Sequence, residues 1–185
     1  MKAKQITLCG MFSALIAIGA FLKIDIPLPA YTMHFTLQWL FVMMAAFLLG
    51  ASRGGLSVCV YLMMGLVGLP IFAAGGGLSY IFRPGFGFLL GFAFAAFAMG
   101  LLSERAKKFT MLTTVPIATL GLVIYYAVGA VYFYFIKNLY AGQAMAFNVI
   151  VVQYCLITIV PDFILCLCAC ALCGRLKPVV SKFTA

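Results

Sequence analysis

Apolar residues run through this chain in long blocks separated by short polar punctuation. A block of ~18 or more such residues reads as a membrane-spanning helix, because about 20 residues cross ~30 Å of hydrocarbon. The first block, from about Ile6 to Leu22, stops at Lys23-Ile-Asp-Ile-Pro-Leu-Pro29, where Pro27 and Pro29 break a helix, and a loop follows to about Phe35. The second covers roughly Thr36 to Leu49. The glycine-rich turn Gly50 to Gly55 then predicts a hairpin with a shorter third span that reaches Leu69, before Pro70. Residues 70–84 carry too much glycine and proline for lipid-exposed helix yet almost no charge. Such a stretch is tolerated at depth only when it is buried in protein or lines a cavity, and it is expected to form a re-entrant or lid loop. A fourth span runs from about Gly85 to Leu102 and ends at the charged cluster Glu104 to Lys108. The fifth, about Leu112 to Ile136, and the sixth, about Phe147 to Leu172, flank a polar turn holding Lys137, Asn138 and Gln143, and Pro161 is expected to kink the sixth.

The predicted fold is therefore all-α: an integral membrane protein of six transmembrane helices in a single domain over residues 1–185, with outward-facing loops that form a ligand pocket. Lys2 and Lys4 lead into the first block without a small-residue cleavage site, so that helix is expected to be retained. Composition strengthens this picture, since 66% of residues are hydrophobic and 8% charged, against about 25% charged in soluble domains. The net charge of +9 arises from basic residues scattered through short loops, which argues for membrane orientation and against nucleic acid. Cytoplasmic loops collect Lys and Arg. Lys2, Lys4, Arg53, Arg105, Lys107, Lys108, Arg175, Lys177 and Lys182 fall on one side of the segmentation, and Lys23, Arg83 and Lys137 on the other. Both termini are thus expected in the cytoplasm, and the Pro-rich first loop, the Gly-rich loop and the Lys137 turn outside.

Cys9, Cys59, Cys155, Cys166, Cys168, Cys170 and Cys173 all fall in predicted spans, where they read as small apolar residues and not as a disulfide framework. Cys166, Cys170 and Cys173 share a helix face, but no histidine or carboxylate joins them, and no metal site is expected. The chain has three acids. Asp25 and Glu104 lie in loops, whereas Asp162 lies inside the sixth span, where an ionisable group costs at least ~2.5–3.5 kcal/mol and is a functional candidate by default. The alternative role for it is to bond backbone groups freed by Pro161. Arg83, at the end poor in cations, is a candidate clamp for a carboxylate, or an arginine snorkelling to headgroups. Beside it, Gly75, Gly76 and Gly77 let backbone approach a ligand closely, within an aromatic stretch that reaches Tyr80. His34 reads as a solvated loop residue, and Gln38 and Gln153 as amides that bind either neighbouring helices or a ligand. On the first helix Gly10, Ser13, Ala14 and Ala17 form a small-residue stripe, suited to a partner helix or to internal packing.

Absences narrow the function. No phosphate-binding loop is present, a second in-membrane aspartate for hydrolysis is missing, and no cofactor motif occurs, so a binding and translocation role is expected and not an enzyme.

The segments Ile26-Pro-Leu-Pro29, Phe35-Thr-Leu-Gln38, Leu48-Leu-Gly50, Gly65-Leu-Val-Gly-Leu-Pro-Ile-Phe72, Gly75-Gly-Gly77 and Arg83-Pro-Gly-Phe-Gly-Phe-Leu-Leu-Gly-Phe92, in this order and spacing, closely resemble the BioY family. That family comprises the biotin-binding S components of energy-coupling-factor (ECF) transporters. The resemblance is dense from about residue 5 to 100, looser through residues 128–134, and returns at Pro161-Asp162. It implies a six-helix subunit of a prokaryotic plasma membrane that binds biotin near its outer face. Its partners would be a transmembrane T subunit and ATPase subunits. On that resemblance Asp162 and Arg83 match family ligand positions, and Ser13, Ala14 and Ala17 match the face that contacts the T subunit. Departures exist: the family's Pro-Gly-Asp-x-x-Lys has lost its Gly and its Lys, which is Leu165 here. Gly85 replaces a threonine, and Ala73 and Ala74 replace polar residues. They leave a related carboxylate-bearing vitamin as the alternative ligand, and a stand-alone secondary transporter with Asp162 as proton site as the alternative mechanism.

Overall fold

The computed structural model describes residues 3–28, 32–106 and 108–184. Lys2, Pro29 and Lys107, and the side chain of Lys182, lie outside them. The protein is mostly helical. Among the described residues, five helical stretches are long and apolar enough to cross a membrane: Ala3–Phe21, Gln38–Val67, Phe86–Arg105, Met111–Tyr140 and Phe147–Val180. In chain order the elements are α1 (Ala3–Phe21), β1 (Lys23–Ile26), β2 (Met33–Thr36), α2 (Gln38–Val67), α3 (Phe86–Arg105), α4 (Met111–Phe135), α5 (Phe147–Ile150) and α6 (Ile157–Thr184).

α2 is continuous by hydrogen bonding but not straight. Gly50, at φ 83° and ψ −176°, breaks it in a conformation open essentially to glycine alone. The Gln38 amide donates to the Tyr61 hydroxyl at 2.6 Å, although 23 residues of straight helix would separate them by about 34 Å. The chain therefore turns at Gly50 and the arms 38–49 and 51–67 lie antiparallel. Gly54 makes the fit possible, because a Cβ there would stand 2.8 Å from the Ala45 carbonyl oxygen. Lipid supplies no hydrophobic drive between helices, so small residues at such crossings let van der Waals packing act. α3 packs on both α2 and α4, and α1 on α2, while α6 closes the bundle against α2 and α4.

Two segments differ from the sequence expectation. The Pro-rich first loop contains an antiparallel pair, β1 with β2, in the register Lys23 to Thr36, Ile24 to Phe35, Asp25 to His34 and Ile26 to Met33. Strands of only four residues, separated by a proline-containing stretch, give no periodic signal that sequence reading could detect. The last helix also runs on to Thr184, past Leu172, with Pro161 and Pro178 inside it. Ahead of Pro161 the helix widens into a π turn over Val151–Leu156, one of the ways in which a membrane helix accommodates proline. Cys166, Cys170 and Cys173 are all buried along α6 and bridge to nothing.

Candidate functional site

The connecting segments at one end of the bundle gather on each other. The Lys23 ammonium donates to the Ala73 carbonyl oxygen at 2.8 Å, the Tyr132 hydroxyl to the Ile81 carbonyl oxygen at 2.5 Å, and Phe82 stacks on Tyr140 at 4.9 Å. Each contact satisfies or covers backbone that lies outside regular structure, which unsolvated peptide groups demand. At this end a narrow pocket opens between those segments.

Its walls come from every part of that end: Met33 to Thr36 of β2, Gln38 and Trp39 at the start of α2, Ala73 and Tyr80, the first turns of α3, Tyr125 and Phe133 of α4, and Tyr154, Thr158 and Asp162. Nearly half of the lining residues are Phe, Tyr or Trp. Trp39 stacks on Tyr125 at 5.0 Å and on Phe92 at 5.8 Å, and these two stack on each other at 5.0 Å, making a flat apolar surface. The polar contribution is concentrated. Asp162, 3% exposed, accepts from the Tyr126 hydroxyl at 2.6 Å, and that hydroxyl lies 3.0 Å from Thr158 Oγ1. Asp162 thus bonds a neighbouring helix and not the backbone that Pro161 frees. Thr158 stands four residues before it, on the same helix face.

A second polar group holds the wall in place. Thr36 donates to Gln38 Oε1 at 3.2 Å, Gln38 Nε2 to Tyr61, and Tyr61 to the Ile71 carbonyl oxygen at 3.4 Å. The start of α2 is thereby tied to the 70–84 loop. His34 also lines the cavity, and its Nδ1 lies 2.6 Å from Asp25 Oδ1. That hydrogen bond holds the Asp25 carboxyl below its ordinary range. His34 is therefore a paired wall residue and not simply a solvated one.

The predicted residues separate accordingly. Asp162 and Tyr80 are in the wall. Arg83 is exposed outside it, its guanidinium 5.1 Å above the Tyr80 ring centre. Gly75, Gly76 and Gly77 are absent from the cavity lining. They shape the loop instead: Gly75 and Gly77 take φ of 114° and 98°, and Gly77 N–H donates to the Gly65 carbonyl oxygen at 2.7 Å. What this loop presents to the cavity is Ala73 and Tyr80. The small-residue stripe of α1 divides as well. Ser13 is 1% exposed and donates to the carbonyl oxygens of Cys9 and Ser57, so it belongs to the α1–α2 seam and offers no outer surface. Ala14 is exposed, Ala17 half-buried, and the space around Gly10 is open. Sequence reading missed Trp39, Phe92, Tyr125, Tyr126 and Thr158. The i, i+4 spacing of Thr158 and Asp162 was the one available signal, since aromatic residues are everywhere in this chain.

The family model described as the BioY family matches residues 1–182. Among curated proteins, "Probable biotin transporter BioY" of Lysinibacillus sphaericus is 38% identical over 175 residues, 95% of this chain and 87% of that protein. "Biotin transporter BioY" of Thermotoga maritima is 38% identical over 139 residues, 74% of this chain and 76% of that one. Among solved structures, a crystal structure of the S-component for biotin from an ECF-type ABC transporter superposes with a TM-score of 0.83 at 26% identity. The match covers 96% of this chain and 92% of that one.

Proposed function

The chain belongs to the BioY family, and from that premise we propose that it is the biotin-binding S component of an ECF-type importer. It is a membrane protein that binds and delivers a vitamin and is not an enzyme. The observation that carries the reading is the buried Asp162 carboxylate set in an aromatic cavity where the connecting loops converge. Biotin matches that chemistry: the fused ring needs flat apolar surface, and its ureido N–H groups need an acceptor. Asp162 accepts from one of them, and Tyr126 holds that carboxylate in place.

With the two arms of α2 counted separately, the five long helical stretches become six crossings. The nine-to-three division of basic residues puts both termini in the cytoplasm of a prokaryotic cell and the cavity end outside. Arg83 then sits at the outer mouth on Tyr80, where it meets the ligand's carboxylate, and Gly75 to Gly77 hold the loop that brings Tyr80 there. The chain has no phosphate-binding loop, so a T subunit and ATPase subunits supply the energy, and the exposed Ala14 face with Ala17 receives the T subunit.

Two experiments test this. Biotin is expected to raise the thermal midpoint of the detergent-solubilised chain in a screen of vitamins, and a screen in which only a different vitamin does so removes biotin from the proposal. Ala14→Trp is expected to abolish co-purification with the energising subunits while biotin binding by the solitary chain persists. Loss of both together would assign Ala14 to internal packing.

A further inference from the structure

The cavity wall contains a hydrogen-bond donor that the protein does not use. Trp39 is the chain's single tryptophan; it lines the cavity, is 1% exposed, and its Nε1 has no acceptor among the described residues. The thiol of Cys166 lies beside the indole, but sulfur is a weak acceptor and no bond of proper geometry forms. Folded proteins satisfy nearly all buried polar groups, and an exception calls for a specific explanation such as function.

The position of this donor matters. Cys166 follows Asp162 by four residues, about one helical turn. Trp39 lines the cavity, and its indole N–H therefore lies beside Cys166, about one turn of α6 from Asp162. Neighbouring polar groups are already engaged. Gln38 is bonded to Tyr61 and Thr36, the Tyr126 hydroxyl is given to Asp162, and Thr158 Oγ1 bonds the Cys155 carbonyl oxygen at 3.4 Å.

We propose that Trp39 Nε1–H donates to the carbonyl oxygen of the ligand's cyclic urea, the group that also donates one N–H to Asp162. The inference rests on the biotin reading above and adds a specificity-determining residue to it. A cyclic urea carries one strong acceptor between two donors. Asp162 alone would pair one of the donors and leave the carbonyl buried without a partner, a costly arrangement. With both residues the ring is read on both kinds of edge, and the site selects a urea over rings that lack the oxygen.

A chain labelled with ¹⁵N only at the tryptophan indole shows one N–H resonance. Saturating biotin is expected to move it downfield, and the analogue whose ureido oxygen is replaced by sulfur, a poorer acceptor of the same shape, to move it less. The wild-type chain is expected to prefer biotin over this analogue by roughly tenfold, the size of one buried neutral hydrogen bond. Trp39→Phe should erase most of that preference. The ratio within each protein cancels any general loosening of the aromatic wall, so a weakened variant still reports. Biotin bound with the indole resonance unmoved overturns the Trp39 assignment and leaves the transport reading intact. So does a preference abolished by Tyr125→Phe and retained by Trp39→Phe, or a resonance that responds to Cys166→Ala and not to biotin. Failure of the wild-type chain to bind biotin at all removes both.

Discussion

The two ends of the bundle use the same helices for opposite purposes. At the cavity end three connecting segments of irregular backbone meet, and side chains reach across to satisfy them: Lys23 to Ala73, Tyr132 to Ile81, and Asn138 to the carbonyl oxygens of Tyr134 and Met145. At the other end α2 reverses at one glycine. The Ala51 N–H at the start of the returning arm donates to Glu104 Oε1 at 3.0 Å, Phe109 packs edge-on against Phe47 at 5.8 Å, and the Lys177 ammonium lies 3.9 Å above the Phe109 ring. The closed end is shut by close approach of small residues and one acid that caps a helix start. The other end instead surrounds a pocket with aromatic rings and a few polar groups. A membrane protein can thus tolerate irregular backbone at one face when its polar groups are individually satisfied, while the rest of the bundle is tightly packed.

The sharpest division between the ends is expected from Asp162→Asn. Removing the charge of a buried, hydrogen-bonded group typically costs ~2–5 kcal/mol, or roughly 30-fold and upward. Calorimetry on the purified variant should show this loss of biotin affinity with its thermal midpoint without ligand near that of wild type. Affinity unchanged within threefold would remove Asp162 from the site.

Gly50→Ala attacks the closed end. The glycine-only backbone there costs about 1–3 kcal/mol for another residue, and the new methyl would also collide with the Glu104 carboxylate. Thermal unfolding in detergent should report a lower midpoint, while the folded fraction keeps wild-type affinity. If affinity fell in parallel, the ends would be one cooperative unit and the contrast drawn above would be false.

Arg83→Ala should have a smaller effect at the open end. An exposed ion pair is worth about 0.2–1 kcal/mol, so biotin binding is expected to weaken by up to roughly fivefold. Titration calorimetry distinguishes three cases. No change removes Arg83 from the mouth, the expected change keeps it there, and a loss as large as that of Asp162→Asn shows that it becomes buried on the ligand.

The smallest effect concerns the β1–β2 pair. Asp25 titrates below its ordinary value because His34 hydrogen-bonds it. A carboxyl whose folded value is depressed stabilises the fold above the unfolded value of about 3.9, and that stabilisation is lost as pH falls through the lower folded value. Hairpin amide chemical shifts are therefore expected to drift toward unpaired values on acidification below about pH 4. In Asp25→Asn the drift in that window should vanish. A drift of equal size in the variant would place the acid-sensitive group elsewhere.

Reading the chain alone identified the membrane protein, its apolar helical segments and the turn at Gly50, and drew attention to Asp162, for one physical reason: lipid is an unforgiving solvent. Charges, prolines and glycine clusters within apolar blocks stand out against it, and an aspartate in a span announces itself. The family was legible for the same reason, since the punctuation between spans carries its motifs. The tertiary structure decided what faces what. It put Ser13 inward and left Ala14 outside, set Arg83 beyond the wall and Tyr80 in it, gave Asp162 a tyrosine from another helix, and lined the cavity with Trp39, one aromatic residue among many. Helices apolar on all sides carry no amphipathic stripe from which an inner face can be read, so these choices arise only when the helices pack.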